Sequence, residues 1–150
     1  MADVLDYVTA RTRVVPEGQW IVVRQVFITR LEEQRYPTRA ELDRVAPKHP
    51  VMFRTGPDAS LNTLALKESG IDKNFRVTDG GSGFIEKDPK TGEPTGILKE
   101  SAQGLMSKVM PAVTREDRVR AIRRASEEAS RLGITSIHEA GTGEAALEMF

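Results

Sequence analysis

The sequence predicts an α/β fold, a partial and distorted TIM-barrel-like (β/α) segment with an inserted β-hairpin. Three observations predict it. Short β-branched runs alternate with amphipathic helical stretches, the pattern of a mainly parallel sheet. Two apolar arms around a proline–glycine turn interrupt that alternation at about 79–98 and read as a hairpin. The 150 residues hold only a few strand-and-helix units, whereas a complete eightfold barrel takes about 250. Met1 opens directly into a helix and Phe150 stops inside one. The expectation is therefore one partial domain over 1–150, a fragment of a larger enzyme.

Each element has a local reason. Asp3 to Val15 places Val4, Leu5, Val8 and Thr12 on one helical face, and Pro16-Glu17-Gly18 ends it. Trp20 to Val23 and Val26 to Ile28 are β-branched or aromatic and read as strands. Thr38 with Glu41 forms a capping box, which starts a short helix from Arg39 to about Val45. Pro47 and Pro50 punctuate before a strand, Val51 to Arg54. Asp58 reads as the N-cap of a helix over Ala59 to Ser69, closed by Gly70. Phe84 to Glu86 and Thr95 to Leu98 flank a turn at Asp88 to Gly92, a hairpin expected outside any parallel sheet. Helices follow over Glu100 to Val109 and Arg115 to Leu132, the second capped by Thr114. Gly133 ends that helix, and Ile134 to Ile137 reads as a strand carrying His138 and Glu139 at its C-terminal edge.

Composition removes several functional classes. Lysine plus arginine equals aspartate plus glutamate at 22 each, so no net field recruits nucleic acid or an anionic membrane. Cysteine is absent, which excludes a disulfide scaffold, thiolate zinc sites and a cysteine nucleophile. The acidic, amphipathic N-terminus is unlike a secretory signal, and no apolar run approaches a membrane span. A soluble protein is expected, with its compartment left open.

Two constellations could carry chemistry. His138 and Glu139 stand where an α/β enzyme places catalytic groups, with His138 a metal ligand or proton-transfer group. The plainer reading is a strand-end histidine bonded to a neighbouring loop, since no second histidine has metal-binding spacing. Arg54, Asp58 and Asn62 cluster around a strand end and the next helix start, where they can converge on a polar substrate. The plainer and favoured reading has Asp58 as a helix cap and Asn62 hydrogen-bonded to the loop. A shared cleft holding Arg54, Asp58, Asn62 and His138 at one sheet edge is the further expectation. His49 lies between Lys48 and Pro50 and reads as an exposed loop histidine. The arginines of 115–131 alternate with acids around an apolar stripe, the pattern of a solvated amphipathic helix. Gly80-Gly81-Ser82-Gly83 follows no clear strand and precedes no helix, so it fails the context of a phosphate loop.

Several segments together resemble a known family. They are Pro37 to Asp43, Ala46-Pro47 with His49-Pro50-Val51, Asn62 to Leu66 with Gly70-Ile71, Glu86-Lys87-Asp88 with Thr91 to Leu98, and Gly133 to Gly141. In order and spacing they resemble the YtcJ-like branch of the amidohydrolase superfamily, the amidohydrolase 3 group. The resemblance implies a metal-dependent hydrolase of non-peptide carbon–nitrogen bonds, of N-acyl or N-formyl amine type, on a distorted TIM barrel. It implies a divalent metal, zinc, in the full-length relative, with a small-molecule amide as substrate. Asn62, His138 and Glu139 match pattern positions of that family. The chain departs from it in two respects. It holds no His-X-His pair, and Gly56-Pro57-Asp58 stands where many relatives have Gly-His. No metal ligand is therefore assigned within this chain, and no tightly bound metal or activity is expected of it alone. The alternative function is a non-catalytic α/β interaction or ligand-binding module derived from that fold, self-associating through exposed strand edges.

Overall fold

The computed structural model describes residues 1–24, 26–78, 80–138 and 143. It divides into two compact units, Met1–Met110 and Pro111–Phe150.

The first unit is built on a five-stranded mixed sheet, in the order β1-β2-β3-β5-β4. The strands are β1 Ile21–Val23, β2 Val51–Thr55, β3 Asp58–Leu61, β4 Phe84–Lys87 and β5 Pro94–Lys99. Among these, β1 and β2 alone pair in parallel, Ile21 opposite Val51 and Val23 opposite Phe53. The chain between them includes helix α2, Arg39–Val45, as a parallel connection requires a long crossover. The remaining pairings are antiparallel. The mainly parallel sheet expected from strand–helix alternation is thus corrected to a mixed one. Gly56-Pro57 lets β3 fold straight back on β2, with Thr55 opposite Asp58, so no crossover helix intervenes.

Side-chain alternation along the strands divides the core between two faces. Helix α1, Ala2–Thr12, and α2 pack Val8 and Leu42 against Ile21, Val23, Val51 and Phe53. On the other cluster Met52, Ala59, Leu61 and Leu98 meet Leu66 of α3, Thr63–Glu68, and Ala102 and Met106 of a 3-10 helix, Glu100–Lys108.

The hairpin forms as expected. Asp88 turns it, its carboxylate accepting from the Lys90 and Thr91 amides, with Phe84 opposite Lys99 and Ile85 opposite Leu98. It is antiparallel throughout, yet it completes the same sheet through β5 and β3. Other expectations change. The helix read over 59–69 is β3 followed by α3, with Asn62 rather than Asp58 as its N-cap. The strand read over Val26 to Ile28 gives way to a 3-10 turn, Ile28–Arg30, and Phe27 is half exposed with Arg30 over its ring. His49 is only 4% exposed, with Nδ1 3.1 Å from the Gln19 carbonyl, so it is not a surface histidine.

The Thr38–Glu41 capping box is present, and Arg35 grips the Glu41 carboxylate with two hydrogen bonds of 2.8 Å. Chiefly through Arg35, the Glu41 carboxyl is lowered from 4.5 to about 2. A folded-state value below the unfolded one stabilises above the unfolded value and is lost as pH falls through the folded one. The melting temperature of wild type should therefore exceed that of Glu41→Gln above about pH 4.5, with the gap closing as pH falls toward 2. A gap independent of pH, measured by circular dichroism melts, would refute the assignment.

In the second unit, α4 runs Arg115–Arg131 from a Thr114–Asp117 capping box. Gly133 ends it in the left-handed region at φ +79°. There the Gly133 and Ile134 amides donate to the Ser130 and Ala129 carbonyls, the double closure that a glycine permits. The apolar stripe read from the sequence is present, but α4 buries no residue completely. The strand read over Ile134 to Ile137 is not formed: residues 134–138 are irregular and exposed.

Candidate functional site

One cluster of polar side chains in the first unit joins Tyr36, Asp58 and Lys99. Tyr36 precedes the α2 cap, Asp58 begins β3, and Lys99 ends β5. Pairing of β3 with β5, Ala59 opposite Leu98, brings the last two to one end of the sheet. The Tyr36 hydroxyl donates to Asp58 Oδ2 at 2.5 Å and accepts from Lys99 Nζ at 2.8 Å. Lys99 Nζ also donates to Asp58 Oδ2 at 3.0 Å and lies 4.3 Å from the Tyr36 ring centroid. Asp58 Oδ1 accepts from the Glu100 amide at 2.9 Å.

Burial and pairing compete in setting the charges here. Burial works to raise the Asp58 carboxyl, but hydrogen bonds from Tyr36, the Glu100 amide and Lys99 outweigh it and hold it below its ordinary range. Burial works to lower the Lys99 ammonium, and its bonds to Tyr36 and Asp58 hold it above its ordinary range. Burial and the Asp58 bond raise the Tyr36 phenol. At neutral pH the cluster is a carboxylate and an ammonium bridged by a neutral phenol. With the lysine protonated and the carboxylate bonded by three donors, it offers neither a free nucleophile nor a free base. Its chemistry is to fasten β3, β5 and the α2 approach together.

The sequence candidates separate. Opposite residues of an antiparallel pair share a face, so Asp58 lies on the face of Thr55, and Arg54 on that of Ala59. Arg54 and Asp58 therefore point to opposite sides of the sheet and do not form one site. Asn62, at the far end of β3 from Asp58, is fully buried. Its Oδ1 accepts from the Val51 and Ala65 amides, and its Nδ2 donates to the His49 and Ala46 carbonyls. All four of its bonding directions are used inside the fold, the plainer of its two readings, a side chain bonded to its surrounding loop rather than a substrate contact. His138 lies exposed in the second unit. Glu139 lies outside the described residues. Tyr36 and Lys99 were not among the sequence candidates, because Asp58 reads locally as a helix cap and its contact with Lys99 spans 41 residues.

Comparison with known proteins agrees with the sequence resemblance. The model of the amidohydrolase family matches residues 1–150. The chain belongs to that family. It is 31% identical over 137 residues to the protein named "Putative amidohydrolase YtcJ" of Bacillus subtilis (strain 168), covering 90% of this chain and 25% of the relative. It is 38% identical over 109 residues to N-substituted formamide deformylase of Arthrobacter pascens, covering 69% of this chain and 19% of the relative. An uncharacterized metal-dependent hydrolase from Pyrococcus horikoshii OT3 shares the fold, with a TM-score of 0.51 and 22% identity. That match covers 97% of this chain and 27% of the other. The chain thus spans about a quarter or less of the length of these relatives.

Proposed function

We propose that this chain is a segment of a metal-dependent amidohydrolase that hydrolyses non-peptide carbon–nitrogen bonds in N-acyl or N-formyl amines. The observation that carries the reading is the match to N-substituted formamide deformylase, at 38% identity over 69% of this chain. The family also implies a divalent metal, for which zinc is our choice. The donors here do not fit one. Among the described residues no three histidine, cysteine, aspartate or glutamate side chains are grouped to hold a metal ion, where zinc takes about four donors. Asp58 is occupied by Tyr36, Lys99 and Glu100, and His49 Nδ1 faces a backbone carbonyl. In this reading the segment supplies scaffold, and the metal and reacting groups come from the rest of the parent enzyme. The 150-residue chain alone then has no hydrolase activity, and copies of it associate through the outer edges of β1 and β4, which end the sheet.

The test is elemental analysis of the chain after chelation and zinc reloading, alongside an N-formyl amine hydrolysis assay of the chain and of a full-length parent. Zinc well below one per chain and turnover only by the parent are expected. Stoichiometric zinc with turnover by the short chain, lost in His138→Ala, would overturn the reading.

A further inference from the structure

The 3-10 helix Glu100–Lys108 has two unusual features. It runs nine residues, whereas 3-10 geometry is strained beyond three or four. It also begins on Glu100 at φ +51°, a left-handed conformation that disfavours a side chain. Such strain persists only where neighbours over-determine it. Two neighbours hold it: the Ser82 hydroxyl donates to the Glu100 carboxylate, and the Asp58 carboxylate holds the Glu100 amide through Oδ1 and the Lys99 ammonium through Oδ2. Asp58 therefore grips two consecutive residues at the junction of β5 and the 3-10 helix, with Tyr36 bracing the grip from the α2 side. Beyond that junction, buried Ala102 and Met106 lie in the cluster of Ala59, Leu98 and Ile85, and Ser69 Oγ, which donates to the Ala65 carbonyl, lies 3.4 Å from the Met106 sulfur.

We propose that residues 100–108 form a strap over the β3–β5 face and that Asp58 is its catch. When the catch is released, Glu100 relaxes to ordinary backbone angles. The direction of the chain leaving β5 then changes, and Ala102 and Met106 lift from the sheet. Opening is local, because the other core cluster, with Val4 and Val8 of α1, Leu42 of α2 and Phe53, includes neither Ala102 nor Met106. This assigns the Tyr36–Asp58–Lys99 cluster a conformational role that stands whether or not the hydrolase reading holds.

Peptide-resolved hydrogen exchange on the full chain tests it. Asp58→Ala should speed exchange across 100–110 by about tenfold or more, the scale of a lost bond to a charged group, while peptides covering α1 and α2, whose buried residues lie in the other core cluster, keep their wild-type rates. Lys99→Met, which leaves the carboxylate, should give a smaller increase in the same peptides. Glu100→Gly removes the left-handed penalty, so adding it to Asp58→Ala should recover at least half of the lost protection on a logarithmic scale. Unchanged exchange over 100–110 in Asp58→Ala would overturn the proposal. So would equal acceleration across the whole first unit, which would make Asp58 a general stabiliser, or no recovery in the double variant.

Discussion

Asn62→Ala is expected to destabilise the first unit by roughly 2–4 kcal/mol, toward the upper range for a point substitution. Its fully buried amide joins four places in the fold: the start of β2, the first turn of α3, and the His49 and Ala46 carbonyls that lead into β2. Alanine removes the cap, costing about 1 kcal/mol by itself. It also leaves the Val51 amide buried without its side-chain acceptor, at a further cost of about 1–3 kcal/mol. The comparison variant is Thr63→Ala, which loses an exposed hydroxyl bond of 2.6 Å to Asp43 and should cost about 1 kcal/mol or less. Urea unfolding should separate the two clearly, with similar m values. An Asn62→Ala midpoint matching that of Thr63→Ala would show that water replaces the amide at little cost.

The contrast between Asn62 and Thr38 shows what the sequence could convey. Thr38 and Glu41 satisfy each other within one helical turn, and the box is present. Thr114 and Gly133 act equally locally, and both ends of α4 follow from them. The hairpin turn at Asp88 to Gly92 likewise depends on residues in its own loop. Asn62 caps α3 locally too, but its other bonds reach back 11 to 16 residues, and no sequence window shows them. The run Asp58-Ala59-Ser60-Leu61 suits a helix start by propensity. It becomes a strand because β2 on one side and β5 on the other offer it a ladder, and because Ser60 can donate to the Pro37 carbonyl at 2.6 Å. Once β3 is a strand, the proposed grouping of Arg54 with Asp58 fails by simple alternation of faces. Family membership survived these errors because it depends on the order of many short segments rather than on the geometry of any one.

Gly96→Ala should be as damaging as Asn62→Ala, at roughly 3 kcal/mol or more, because overpacking and backbone strain act together. Gly96 is buried in β5 at φ +103°, where side chains are rarely accommodated. A Cβ there would stand 2.5 Å from the Leu61 carbonyl oxygen and 3.3 Å from Arg39 Cβ. The nearer neighbour is backbone, so no rotamer change relieves the clash, and β5 must move away from β3. That displacement would break the pairing of Ser60 with Ile97 and loosen the β4–β5 hairpin. It would also strain the 2.9 Å bond from Arg39 to the Pro94 carbonyl. A control lies nearby. Gly104 has no atom within 4 Å of an added Cβ and no positive φ, so Gly104→Ala should be neutral or slightly stabilising through the unfolded chain. Thermal melts should therefore place Gly96→Ala well below wild type and Gly104→Ala at or slightly above it. If Gly96→Ala melts with wild type, β5 has room to shift, and the close approach of β5 to Leu61 is not what fixes the hairpin in the sheet.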